Sequence, residues 1–251
     1  VIAPSRGGST WRSWAEGAGV TAIRTRPERL AFAVLLTAVG GYLDAYTFVG
    51  HGGVFANAQT GNFVMLAVFA SDGRWHDALI RVPAIAAFVV GIFVAEEMGR
   101  PNWHARLRRP TRVVLIIEIV ILAVLAALPA GRPDLVYNAA ISFVAALQFA
   151  TFRILADTPY TTILATGNMR SLIASAIQWR AEGNQLAGRR ALRLGITVAA
   201  FVLGAAGGAA YTRQSGSVAV WVAAAALVVV MIALIVETRQ VEHAAPPTET
   251  S

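Results

Sequence analysis

Two copies of one tripeptide carry the chain's clearest chemical suggestion. Thr60-Gly61-Asn62 and Thr166-Gly167-Asn168 each follow an apolar stretch, and each opens a run of apolar helix formers, about 60–71 and 166–178. These runs hold roughly 12 residues, where a membrane-crossing helix needs about 20. Threonine and asparagine suit a helix start because their side-chain oxygens accept hydrogen bonds from first-turn amides. Glycine between them permits a tight turn and the close approach of another backbone or a solute. A helix that begins at membrane depth points free N–H groups, and the positive end of its dipole, at whatever lies before it. An anion or the oxygen of a polar solute suits that position. Two such interrupted segments in matching halves point to a solute site near the bilayer midplane, where the two tips would converge from opposite faces. The competing reading is that the same residues only cap two structural re-entrant helices.

A few polar residues inside apolar stretches extend this set. Asp44 lies within the first long segment, where an acid costs about 2.5–3.5 kcal/mol on insertion scales and so has a partner or a task. It reads either as a proton or cation site, or as a lock on the neighbouring helix start. Glu118, flanked by isoleucines and valine, must find its partner on another helix, with Arg153 and Arg170 as candidates. Gln148 falls in the fourth long segment where the region of Asp44 maps, and an amide there can bridge helices or line a pathway. His51, in Gly50-His51-Gly52-Gly53, could titrate, but one loop histidine is weak support for a pH sensor. Tyr137 and Asn138 sit near an interface and require no special role. Trp75, Trp103 and Trp179 read as interfacial anchors.

The elements that must hold these residues are apolar helices. The chain of 251 residues is 56% hydrophobic and 14% charged, with mean hydropathy +0.59. Six stretches are long enough to cross a bilayer, about 30–49, 82–99, 112–128, 135–153, 190–211 and 218–236. With the two short segments they give six crossings or eight. Arginine separates the alternatives, since basic loops stay in the cytoplasm. Eight crossings with the N-terminus inside would export Arg100, Arg106, Arg108, Arg109 and Arg112; six keep them inside. Each half then has three crossings and one half-helix, so the halves point in opposite directions, as inverted repeats do. Repeat one spans about 30–129 and repeat two about 135–236. Phe88-Val89-Val90-Gly91 and Phe201-Val202-Leu203-Gly204 are a further echo between them. The expected fold is an all-α integral membrane protein with about six transmembrane helices and two re-entrant half-helices. A basic cytoplasmic arm (1–29) precedes it and a disordered tail (237–251) follows.

Composition argues against other classes. The formal charge is +7, yet the 21 basic residues are all arginine and follow membrane loops, with no nucleic-acid motif among them. Cysteine is absent and no histidine pair has ligand spacing, so neither disulfides nor a metal site is expected. No cofactor motif is present, and no nucleophile–base pair suggests an enzyme.

At Gly40-Gly41-Tyr42-Leu43-Asp44-Ala45, Gly52-Gly53-Val54-Phe55 and Gln59-Thr60-Gly61-Asn62 the chain resembles the YoaK-like family of small bacterial multi-pass membrane proteins, a domain of unknown function. The likeness covers about residues 30–236. It implies a cytoplasmic (inner) membrane protein of about six spans, and supplies no substrate or reaction. With both termini cytoplasmic, the expected partners are the lipid bilayer and a small solute, and a homo-oligomer is allowed. Two functions follow as expectations. The first is a transporter or channel for a small polar or anionic solute, with Thr60–Asn62, Thr166–Asn168 and Gln148 at the site and Asp44 and Glu118 as coupling acids. The second is a non-transport membrane scaffold or assembly factor.

Overall fold

The computed structural model describes residues 30–100, 110–129, 131–152, 154–155, 158–159 and 165–244. In chain order the helices are α1 (Leu30–Gly50), α2 (Gln59–Ser71), α3 (Trp75–Leu79), α4 (Val82–Met98), α5 (Pro110–Ala127), α6 (Asp134–Thr151), α7 (Ala165–Glu182), α8 (Gln185–Ser215) and α9 (Val220–Ala244). A 3-10 turn, Gly216–Ala219, joins the last two. Among the described residues the one strand pairing is short and antiparallel, β1 (Ile154–Leu155) with β2 (Thr158–Pro159).

Long runs of alanine, leucine and other helix formers make these elements. Punctuation comes from residues suited to ends. Pro83 occupies the first turn of α4, where its missing N–H costs nothing. Gly73 and Gly183, at φ +72° and +64°, follow the two short-segment helices α2 and α7 and turn the chain into the next helix.

Among the described residues four stretches are long and apolar enough to cross a membrane: Leu30–Gly50, Trp75–Met98, Asp134–Thr151 and the 52-residue Gln185–Val236, which runs through α8 and α9. To these α5 adds an apolar helix of 18 residues whose charged side chains are Arg112 and Glu118. Large apolar residues lie exposed on the outward faces, among them Val89 and Phe93 of α4, Val120 and Val124 of α5, Leu203 of α8 and Ile232 of α9. A water-soluble domain rarely exposes so much contiguous apolar surface. Helices clad in this way are membrane helices, whose backbone polar groups are satisfied internally.

Inside the bundle α1 packs chiefly on α8, α4 on α6, and α5 on α9. Small residues allow these close crossings. A Cβ on Gly204 would overlap the Ala38 carbonyl of α1, and one on Gly41 would overlap the Phe201 carbonyl of α8. On Gly91 it would lie 2.6 Å from the Phe143 carbonyl oxygen and 2.7 Å from the Ala146 methyl, both on α6. Leu36, Tyr46, Leu115, Ile141, Leu147 and Leu227 form the centre of the core.

After α1 the chain doubles back along the helix it has just left. The Asn57 amide donates to Asp44 Oδ1 at 2.7 Å, and Asn57 Nδ2 donates to the Gly40 carbonyl at 2.7 Å. Gly40 lies about 15 Å of helix rise before the Gly50 end. Residues 53–57 therefore descend alongside α1 without helix, and α2 carries the chain back over about 20 Å. The return is closed by Arg81, whose Nη2 donates to the Gly53 carbonyl at 3.1 Å. Its guanidinium lies 4.6 Å from the centre of the Phe69 ring of α2, and that of Arg74 lies 4.3 Å from it.

Several boundaries depart from sequence expectation. The second short segment becomes an 18-residue helix, α7, longer than the expected 166–178. Helix α8 starts before the expected residue 190, because Asn184 Oδ1 accepts from the amides of Leu186 (3.1 Å) and Ala187 (3.2 Å) and caps it there. The tail expected to be disordered from residue 237 is helical as far as Ala244, as part of α9. The arm 1–29, the loop residues Arg106, Arg108 and Arg109, and Trp103 and Arg153 lie outside the described residues.

Candidate functional site

The first Thr-Gly-Asn copy does not cap its helix as its residue types suggest. Helix α2 begins at Gln59, its N-cap is Ala58, and no side chain caps it. The chain satisfies its own start: Gly61 N–H donates to the Ala58 carbonyl at 2.9 Å, and Gln59 N–H to the Asn57 carbonyl at 2.9 Å. Just before the helix, the backbone amides of Ala56, Asn57 and Ala58 hydrogen-bond the Asp44 carboxylate. Consecutive amides of this kind form an anion-binding concavity. Here the anion is the protein's own, supplied by α1 to the entrance of α2.

Asn62 is fully buried and acts in the opposite direction from a cap. Its Oδ1 accepts from Phe55 N at 3.0 Å, while Nδ2 donates to the Phe55 carbonyl at 2.7 Å and to Gln59 Oε1 at 2.9 Å. The side chain thereby pairs with the Phe55 peptide as a neighbouring strand would, fixing the descending segment to the ascending helix. Gly61 leaves room for the Phe55 ring, 3.0 Å from where a Cβ would stand. Thr60 is exposed.

In the second copy Thr166 and Gly167 are exposed, and Asn168 is buried like Asn62. Arg170 is exposed on α7. The half-helices α2 and α7 share no substantial packing, so the convergence expected of their tips is not how the bundle is held together. Gln148 is buried and bridges the first helices of the two halves, its Nε2 donating to the Leu36 carbonyl of α1 at 3.3 Å. Glu118 is 1% exposed, and its Oε1 has no hydrogen-bond partner among the described residues.

A polar group given little weight in the sequence lies where α1 ends. His51 is buried, and its Nδ1 donates to Asp134 Oδ1 at 2.8 Å. Its ring stacks on Tyr137 with centroids 4.2 Å apart and leans on Tyr46 at 4.9 Å. Asn138 Nδ2 donates to the His51 carbonyl at 2.9 Å. Burial pushes the His51 imidazole below its usual range, with Asp134 opposing. A dipeptide such as Tyr137-Asn138 gives no local hint of this. The contact joins positions far apart in the chain, and only the shared level of the α1 end and the α6 start makes it.

Fold and site together define a helical membrane protein with a polar, non-helical segment folded back against its first helix. The chain belongs to the family of proteins of unknown function DUF1275, whose model matches residues 32–233. No curated protein and no solved structure matches it.

Proposed function

We propose that this chain is a transporter or channel for a small polar or anionic solute in a bacterial cytoplasmic membrane, built from two inverted halves with six crossings. The observation that carries this reading is the fold-back of residues 53–58. Irregular backbone at membrane depth persists only where protein buries it or where it lines a water-filled cavity, and in transporters it marks the solute site.

Contacts at the helix ends support six crossings. Were α2 to cross, α4 would start on the face opposite the end of α1, yet Arg81 reaches Gly53. The start of α6 also meets the end of α1, through His51 and Asp134. Packing supports the inverted halves. Exchanging α1, α2, α4 and α5 with α6, α7, α8 and α9 turns the α1–α8 contact into the α6–α4 contact and maps α5–α9 onto itself. Gly204 on Ala38 then corresponds to Gly91 on Phe143. The finer likeness to YoaK-like proteins agrees with this class.

The proposed site comprises Thr60, Gly61, Asn62, Thr166, Gly167, Asn168 and Gln148, with Asp44 and Glu118 as coupling acids. An anion reaching the amides of residues 56–58 competes with the Asp44 carboxylate. The chain is read as no enzyme, with no cofactor. A thermal-shift screen of small anions and polar solutes on purified protein, followed by uptake in proteoliposomes, tests the proposal. A ligand at a hundred times its Kd stabilises by about 2.7 kcal/mol. Flux that is lost in Asp44→Asn while the protein still inserts supports the reading; absence of flux for every stabilising solute overturns it.

One observation favours the alternative of a scaffold or assembly factor: Asn62 spends its hydrogen bonds inside the protein. On that reading Asp44→Asn and Gln148→Leu change detergent stability or partner capture and leave no flux to alter.

A further inference from the structure

The buried side-chain atoms without a hydrogen-bond partner among the described residues include His51 Nε2, Tyr137 OH, Asn138 Oδ1, Ser142 Oγ and Glu118 Oε1. Each of these residues is at most 4% exposed. The first three are tied together by the ring stack and the Asn138 hydrogen bond described above. Asp134, its side chain 55% exposed, connects His51 to the surface. Ser142 follows Asn138 by four residues, one turn further along the same face of α6. Helix α5 packs on α6, and helices joined by so short a connection run antiparallel. Ser142 lies about 12 Å of rise from the α6 start, and Glu118 about 14 Å from the α5 end, so the two are at similar depth.

An unsatisfied buried polar group costs about 1–3 kcal/mol, and a charged one more. Five together call for a role that repays them. Buried water is the group that joins such atoms, each molecule holding two to four polar partners. Among the described residues no cation forms an ion pair with Glu118, whose Oε1 has no hydrogen-bond partner there. Between Val220 and Val236 α9 carries no ionisable side chain, and neither does the turn Gly216–Ala219. On α6 the ionisable groups are Asp134 and Tyr137, and on α5 the cation is Arg112, about 9 Å of rise away.

We propose that this row is a proton path, in which hydrogen-bonded waters link Asp134 at the surface to Glu118, which takes up and returns the proton. A proton arriving at the solvent end is passed from water to water. The last water gives up an O–H proton as the Glu118 carboxylate forms its own O–H bond, and release reverses each transfer. The path rests on the transport reading for its purpose, but its measurement needs no solute, so either can fail alone.

The test is infrared spectroscopy of the full chain in liposomes. The expected result is a carboxylic C=O band that grows and fades reversibly as the pH is changed and is missing in Glu118→Gln. After a change to heavy water its deuterium shift should develop about tenfold more slowly in Ser142→Val, and at the wild-type rate in Ser142→Thr, which restores the hydroxyl. Where Ser142→Val does not fold, Asn138→Leu against Asn138→Gln makes the same comparison one turn nearer the surface. A Glu118-dependent band that fails to titrate, or equal exchange in the apolar and polar variants, overturns the proposal.

Discussion

Arg81 holds Gly53: the Nη2 of the residue that opens α4 donates to the carbonyl three residues beyond the end of α1, at 3.1 Å. Between them the chain descends past Asp44 to Gly40 and climbs back through α2. Arg81 is 2% exposed, bonds the Asp77 carbonyl as well, and lies against Phe69. It therefore straps both ends of the fold-back. A hydrogen bond from a charged donor is worth about 1.5–3 kcal/mol, so Arg81→Ala should speed amide exchange across residues 53–71 by about ten- to a hundredfold. Exchange in the α1–α8 crossing should not change. Uniform acceleration through the bundle would show that Arg81 supports the whole fold instead.

Asp44 supplies the charge that the amides of residues 56–58 require. In Asp44→Asn one oxygen replaces two and an NH2 faces backbone donors, so the loss should be about 2–3 kcal/mol. Thermal unfolding in detergent and protease sensitivity near residues 53–58 measure it. An unchanged Tm would mean that the carboxylate contributes nothing to holding the segment.

How far the sequence speaks for itself depends on whether a feature is local. The apolar helices, the short α2 and an acid placed inside the first of them, Asp44, were legible because each is written in consecutive residues. The glycine echo, Gly91 and Gly204, was legible too, and both glycines meet a neighbouring backbone. The work of Asn62 was not. Its residue type predicts a cap, and its clamp on Phe55 arises only once the preceding segment doubles back. The ends of α7 and α9 were misjudged because a helix continues past the point where its residues cease to be apolar. The partners of His51 were not legible because Asp134, Tyr137 and Asn138 come from the other half of the chain.

The glycine crossings can be tested by contrast within one helix. Gly204 abuts the Ala38 backbone, whereas nothing stands within 4 Å of a Cβ on Gly207. Gly204→Ala should cost about 1–3 kcal/mol through overpacking. Gly207→Ala should be neutral, or stabilising by about 0.5–1 kcal/mol from helix propensity. Comparable losses at both positions would argue against a close α1–α8 crossing.

His51 sets a pH dependence with a definite sign. Burial lowers its pKa in the folded protein below the ordinary value of 6.5. The unfolded chain then binds more protons, so stability is full above that value and falls as acid carries the pH down through the folded pKa. Tm measured along a falling pH series should decline more steeply in the wild type than in His51→Asn. A His51→Asn protein with the same decline would place the titrating group elsewhere.

The placement of α2 is tested most directly by a single cysteine at residue 75. The chain has no cysteine of its own, and Trp75, 62% exposed, stands just after the fold-back. In intact cells a membrane-impermeant maleimide should label Trp75→Cys from outside, as expected if the chain enters the bilayer and returns to the face it left. Labelling only after the cytoplasmic side is opened would mean that α2 crosses, and would contradict the account.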